Sequence, residues 1–298
     1  MFLPECGAAG PACCADFETL SLEEAQTRFQ REAVHGVCDT GRYRCPYFVW
    51  GRGPTLMCVP GLVDDGLAFL RPLALLSRYF RCVAYDWPTG HDDLAHLPTY
   101  RHSDFVGDLF ALLDHVGARQ AVVLGYSFGS TVALAALDAQ PQRLSRGVLL
   151  SGFACRPLAP AEQLLATLGR YLPGVMGQVP LRARVLRRLQ SWAFARCEPA
   201  VWDYYVQRTG KLSTAAVAYR ACILRHIDVR GLLPRIQQPM LLICGDADPL
   251  VSKRCEMELL TGLRHVVRAE LPHCGHQAVY THPELMAQTI TQFCQPAA

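Results

Sequence analysis

The sequence predicts an α/β protein: a mostly parallel sheet with helices on both faces and one inserted block of helices. Three observations carry this expectation. From Thr55 to residue 152, short apolar runs alternate with amphipathic helical stretches, and strands buried on both faces read as continuous apolar runs. Over 154–235 the strand signal stops and every stretch reads as helix. The strand–helix rhythm then resumes at Met240.

Residues 1–30 read as an irregular, partly helical lead-in. Two strand candidates, 33–38 and 43–50, flank Asp39-Thr40-Gly41, a turn signal. TLMCV (55–59), RCVAYD (81–86), AVVLGY (121–126) and RGVLLSG (146–152) are expected as buried strands, with helices over 68–80, 104–117 and 130–139. MLLICGD (240–246), a helix near 253–262, HVVRAEL (265–271) and a helix over 283–294 complete the pattern. The expected organisation is a lead-in (1–30), a core domain in two segments (31–153 and 236–298) and a helical cap insertion (154–235).

Composition narrows the function classes. Hydrophobic residues make up 51% of the 298 and charged residues 18%, enough apolar side chain for a large core and too little charge for disorder. A net charge of +3 gives no reason to expect a nucleic-acid partner. No apolar run is long enough to span a bilayer, so no stable membrane insertion is expected. No Lys or Arg precedes Arg28, so no secretory signal is read, and the expected compartment is cytoplasmic. The oligomeric state is not legible.

Of the 14 cysteines none forms a C-x-x-C pair. Cys58, Cys82 and Cys244 sit in apolar runs as small buried hydrophobes. Cys6, Cys13, Cys14, Cys38 and Cys45 cluster near the N-terminus, but their loose spacing lacks the tight ligand pairs of structural zinc sites. Free thiols are the expectation, with no metal and no cofactor.

Gly125-Tyr126-Ser127-Phe128-Gly129 matches G-x-S-x-G. The motif is weak alone, but here an apolar strand precedes it and an Ala-rich helix follows. A serine on such a sharp strand-to-helix turn projects its hydroxyl above the sheet, and the small flanking residues accommodate the strain. Ser127 is therefore the candidate nucleophile. A serine hydroxyl needs a base, and the base an orienting acid. In the order Ser…Asp…His, the loop Pro272-His273-Cys274-Gly275-His276 supplies the base. His276 is preferred because it follows a glycine in a loop at a strand end; His273 is the rival, and His282, before Pro283, reads as opening a helix. Gly245-Asp246-Ala247-Asp248 supplies the acid. Asp248 is preferred, because Asp246 lies nearer the strand end, where a carboxylate caps the turn. The oxyanion donors expected are the backbone N–H groups of Phe128 and of Leu62, in the turn Pro60-Gly61-Leu62 after the strand at 55–59.

Together these residues resemble the α/β-hydrolase superfamily, in its cap-bearing branch of esterases, lactonases, carbon–carbon bond hydrolases and cofactor-free haloperoxidases. The resemblance covers roughly 43–295 and implies an α/β-hydrolase sheet. Tyr85-Asp86 resembles the start of the family's D-x-R-G loop, although Pro88-Thr89 replaces Arg-Gly. Leu233-Pro234-Arg235-Ile236 before Pro239 resembles the lead into the acid-bearing strand, and the family pattern places the acid at the second Asp, Asp248. Gly275-His276 with His282-Pro283 downstream resembles its histidine loop. Pro60-Gly61 replaces the common His-Gly, and Ser130 stands where a second elbow glycine is usual. A serine at the elbow argues against dehalogenases and epoxide hydrolases, which carry Asp there, and against dienelactone hydrolases, which carry Cys.

The implied function is hydrolysis of a carboxylic ester or related acyl bond in a small, largely apolar substrate. The alternatives are a carbon–carbon bond hydrolase and a ligand-binding receptor on the same scaffold. Phe153, Trp192, Trp202 and Tyr205 are the candidate substrate-binding side chains. Arg182, Arg184, Arg187 and Arg188 share a helix, which reads as a solvated face rather than a dock for an acidic substrate or membrane.

Overall fold

A computed structural model describes residues 19–91 and 93–295 of the protein. Its elements, in chain order, are α1 (Leu22–Glu32), β1 (Val34–Asp39), β2 (Arg44–Trp50), β3 (Thr55–Val59), α2 (Leu70–Leu76), β4 (Arg81–Tyr85), α3 (His102–His115), β5 (Ala121–Tyr126), α4 (Phe128–Ala139) and β6 (Leu144–Leu150). Four helices follow: α5 (Pro160–Gly169), α6 (Arg182–Gln190), α7 (Pro199–Gly210) and α8 (Thr214–Leu224). The chain closes with β7 (Met240–Gly245), α9 (Lys253–Gly262), β8 (Val266–Leu271), α10 (Ala278–Thr281) and α11 (Pro283–Cys294). The predicted α/β class is the one observed.

The strands form one eight-stranded sheet in the order β1-β2-β4-β3-β5-β6-β7-β8. β1–β2 and β2–β4 pair antiparallel, and every other pair is parallel. Every residue of β3, β5 and β7 is buried, as continuous apolar runs require when helices cover both faces. Their side chains alternate between two cores. Met57, Val59, Val123 and Leu242 pack with Phe105 and Leu109 of α3 and Val132 of α4. Leu56, Cys58, Leu124 and Ile243 pack with Phe29 of α1, Leu73 of α2 and Met286 and Ile290 of α11.

One departure from the sequence pattern has a local cause. The helix expected over 68–80 is only Leu70–Leu76, preceded by a 3-10 turn over Gly66–Phe69. Pro72 has no N–H to return to Ala68, so the chain tightens there instead of continuing as α-helix. Cys38 and Cys45 are cross-strand neighbours of β1 and β2, and both are buried free thiols. Cys6, Cys13 and Cys14 lie outside the described residues, as does most of the lead-in. Among the described residues no helix is long and apolar enough to cross a membrane.

The sheet order locates the site. β4 and β5 lie on opposite sides of β3, so the chain leaves the carboxyl ends of β3 and β5 in opposite directions and opens a crevice there. The helices between β6 and β7 are tied to that crevice. The Tyr204 hydroxyl donates to the Leu67 carbonyl at 2.9 Å, and Arg208 pairs with Asp65.

Candidate active site

Ser127 occupies the single residue between β5 and α4. Its backbone sits at φ 51° and ψ −116°, the left-handed side that non-glycine residues avoid, at a cost of about 1–3 kcal/mol. The neighbours explain why the chain can hold it there. A Cβ on Gly125 would lie 2.6 Å from the Gly129 carbonyl oxygen, and one on Gly129 would lie 2.4 Å from that of Val59. Both positions need glycine because backbone passes directly against backbone. The Ser127 N–H donates to the Leu150 carbonyl at 2.9 Å, anchoring the turn to β6.

His276 Nε2 lies 2.9 Å from Ser127 Oγ, and His276 Nδ1 lies 2.8 Å from Asp248 Oδ2. The imidazole and the carboxylate are nearly buried, with side-chain exposures of 6% and 7%. Asp248 Oδ1 accepts the N–H groups of Leu250 at 2.8 Å and Val251 at 3.0 Å. Burial pushes the Asp248 carboxyl up, but the His276 hydrogen bond and charge and these two amides outweigh it and hold the group below its ordinary range. An ionised Asp248 keeps the proton on Nδ1 and leaves the Nε2 lone pair facing the serine hydroxyl.

The rival residues have other surroundings. Asp246 accepts the N–H groups of His273 and Cys274 at 2.8 and 3.0 Å, closing the turn that delivers His276. His273 is exposed with a positive φ of 56°. The backbone carbonyl of His276 accepts from the Tyr126 hydroxyl at 3.1 Å and the Ser151 hydroxyl at 3.4 Å, so the histidine loop is pinned to the ends of β5 and β6.

A cavity of about 220 Å³ opens on Ser127 and His276. Leu62, Phe128, Phe153, Leu158, Leu224 and Val251 give it apolar walls, and Arg156 and Glu162 pair at 2.8 Å beside it. Phe128 opens α4, so its N–H is one of the four amides a helix leaves without an internal partner. Leu62 lies across the cavity on the loop after β3. A larger hollow of about 490 Å³, lined by Arg44, Trp87, His91 and Lys211 among others, is not lined by Ser127 or His276. Among the described residues no group of three or more His, Cys, Asp or Glu side chains is placed to hold a metal.

Three aromatic residues expected at the substrate do not line the Ser127 cavity. Trp202 and Tyr205 pack against Phe194 with ring centroids 5.1 Å apart, in a cluster that also includes Tyr280. That cluster fastens the inserted helices to the core. Tyr205 reaches the cavity wall only indirectly, accepting from Gln277 at 3.4 Å. Trp192 is 44% exposed and its ring presses on Gly275. Phe153 does line the cavity. Composition marks these residues as apolar and bulky but does not say which neighbour they pack on.

Four further side chains shape the site, three of them not singled out by the sequence. The Trp87 indole N–H donates to the Gly61 carbonyl at 2.9 Å, and its ring meets Phe128 edge-on. Arg220, on α8 and 3% exposed, donates to the Leu62 carbonyl at 2.9 Å and the Pro88 carbonyl at 3.4 Å. The two flanking peptide planes of Leu62 are thus each held by a buried donor. The Ser130 hydroxyl donates to the Ser127 carbonyl at 2.6 Å and accepts the Phe153 N–H at 3.0 Å, joining the elbow to the cavity wall. Asp64 lines the cavity fully buried, accepting the Tyr280 hydroxyl at 2.9 Å. Burial pushes its carboxyl up to about 6, against the pull of that hydrogen bond. Ser130, in the place of a second elbow glycine, and Trp87, beside the family-like Asp86, carry a positional signal in the sequence; Arg220 and Asp64 carry none.

With this geometry in place, comparison with known proteins is informative. The model of the alpha/beta hydrolase family matches residues 56–289. A pimeloyl-[acyl-carrier protein] methyl ester esterase of Methylococcus capsulatus is 27% identical over 248 residues, covering 82% of this chain and 95% of that protein. A putative carbamate hydrolase, RutD, of Cronobacter sakazakii is 28% identical over 244 residues, covering 78% and 87%. The crystal structure of an enol-lactonase from Burkholderia xenovorans LB400 superposes with a TM-score of 0.76 at 21% identity, covering 87% of this chain and 99% of that one. The chain belongs to the alpha/beta hydrolase family, and it is an enzyme, a hydrolase.

Proposed function

We propose that this alpha/beta hydrolase cleaves a carboxylic ester or related acyl bond of a small, largely apolar substrate through an acyl-enzyme on Ser127. The observation that carries the reading is the relay from Ser127 Oγ through His276 to Asp248, with contacts of 2.9 and 2.8 Å. In this mechanism His276 Nε2 takes the hydroxyl proton as Ser127 Oγ attacks the carbonyl carbon. Asp248 stabilises the imidazolium so formed. The N–H groups of Phe128 and Leu62 receive the oxyanion. The tetrahedral adduct collapses as His276 returns its proton to the leaving oxygen. Water, deprotonated by the same histidine, then releases the acid. No step calls for a metal or organic cofactor.

Segment 154–235 is proposed as the cap over Ser127, since Leu158, Glu162, Ala221 and Leu224 close one side of the cavity. A cavity of about 220 Å³ with apolar walls suits a short or compact acyl group. The relatives named above as an esterase and an enol-lactonase support an acyl substrate. The described cysteines are all free, which suits a reducing, cytoplasmic setting.

The test is a panel of p-nitrophenyl esters of rising chain length, with Ser127→Ala beside the wild type. Turnover of the short esters, abolished in the variant, supports the reading. A chain that leaves esters intact but cleaves a vinylogous diketone is a carbon–carbon bond hydrolase instead. Tight binding of an ester with no turnover marks a receptor.

A further inference from the structure

We infer that the inserted helix α6, with Leu181 before it and Trp192 after it, is a docking surface for an anionic phospholipid bilayer, on which it lies without crossing. The charge pattern alone reads as a solvated helix face; the exposure of apolar side chains beside the arginines changes that reading. Leu181 is 64% exposed, Val185 51%, Leu189 53% and Trp192 44%. Leu181, Val185 and Leu189 are four residues apart, so they form one stripe along the helix. Arg184 and Arg188, one turn apart, form the adjacent stripe, and Arg187 is also exposed. None of these three arginines has an acidic partner among the described residues. The remaining face holds the helix to the protein. Leu186 packs into the core, Gln190 is buried, and Arg182 bonds Thr209 of α7.

Exposed apolar residues in isolation are ordinary, whereas a stripe of them ending in Trp and flanked by arginine is the composition of an interfacial helix. α5 carries a second exposed stripe in the same insertion, Leu164, Leu165 and Leu168. The charge selects the occupant. Between Gln163 and Cys197 the sequence has six arginines and no acidic residue. A surface that is both apolar and strongly cationic is complementary to anionic headgroups over acyl chains, and a second copy of the same face would repel it. The surface also adjoins the site, because the Trp192 ring rests on Gly275, the residue before His276. The inference stands independently of the reaction proposed for Ser127.

The experiment is co-sedimentation of the full chain with vesicles of phosphatidylcholine alone and with one-third phosphatidylglycerol, at low and high salt. Partition onto the anionic vesicles, weakened by salt and much lower on neutral ones, is expected. Arg184→Gln/Arg187→Gln/Arg188→Gln should lower it about 100-fold, at roughly fivefold per arginine. Leu181→Ser/Val185→Ser/Leu189→Ser should lower it at least tenfold. Hydrolysis of a soluble short ester by both variants should stay within twofold of wild type, which separates docking from catalysis. Absence of wild-type partition onto anionic vesicles, or partition unchanged in both variants, overturns the proposal. So does a wild-type dimer in light scattering that becomes monomeric in the apolar-to-serine variant, which would show that a second copy covers this face.

Discussion

The indole N–H of Trp87 donates to the carbonyl of Gly61 at 2.9 Å, and that carbonyl shares a planar trans peptide with the N–H of Leu62. In such a unit C=O and N–H point in opposite directions, so fixing one aims the other. Trp87→Phe keeps the ring contact with Phe128 but removes the donor. The expected result is a kcat about tenfold lower with KM little changed, and stability lower by about 1–3 kcal/mol for the unpaired buried carbonyl. Steady-state kinetics on a short p-nitrophenyl ester and urea unfolding read both effects. A shift confined to KM would place Trp87 in substrate binding instead.

The relay predicts unequal losses at its members. Ser127→Ala and His276→Ala should each lower kcat by about 10⁴–10⁶-fold. Asp248→Asn should cost about 10⁴-fold, because it disturbs the imidazole tautomer while keeping the packing. Asp246→Asn should leave kcat within about tenfold of wild type and lower Tm, since among the described residues the Asp246 carboxylate bonds the amides of His273 and Cys274 and not the imidazole of His276. Measuring kcat and Tm for both aspartate variants decides between the two acids; a larger kcat loss at Asp246 would reverse the assignment.

The elbow glycines predict a packing effect. Gly129→Ala would place a methyl 2.4 and 2.5 Å from the carbonyl oxygens of Val59 and Pro60, which lead into the Leu62 loop. Backbone there cannot yield as a side-chain tip would. The variant should lose about 1–3 kcal/mol of stability and most of its activity together. Denaturant titration alongside kinetics checks this, and an active Gly129→Ala enzyme of unchanged stability would contradict the geometry.

Asp64 predicts a pH-dependent stability. Its folded-state pKa is raised by burial from 3.8 to about 6. Between about pH 4 and 6 the folded state therefore holds a proton that the unfolded chain has released, and stability falls as pH rises. Relative to Asp64→Asn, whose side chain can still accept from Tyr280, wild type should lose on the order of 3 kcal/mol from pH 4 to pH 7. Urea unfolding of both proteins at one-unit steps measures it, and parallel curves would show an unperturbed carboxyl.

The sheet was legible because its strands obey a simple rule: MLLICG and AVVLGY are buried on both faces and therefore apolar throughout. The pairing Ser127–His276–Asp248 was legible because each member sits just after a strand, where chain order and local glycines constrain it. That Trp192, Trp202 and Tyr205 do not line the Ser127 cavity was not legible, because local pattern locates a residue on its own segment but not the neighbour it meets. The contacts of the side chains that brace the site were not legible for a related reason. Ser130, Trp87 and Arg220 act on backbone carbonyls, which have no residue-type signature, and Arg220 reaches across 158 residues of sequence to do so. The late start of α2 follows from Pro72, a local signal that the long apolar pattern over 68–80 had masked.

Arg220 belongs to an inserted helix, yet its guanidinium is buried against the carbonyls of Leu62 and Pro88 in the core. The insertion is therefore not an interchangeable module. Grafting the corresponding segment of another relative onto this core, to borrow its selectivity, would transfer a cavity wall but strip the Leu62 turn of one of its two anchors. A working chimera would have to carry an arginine at the matching place on its eighth helix, or rebuild the loop after β3 together with the graft.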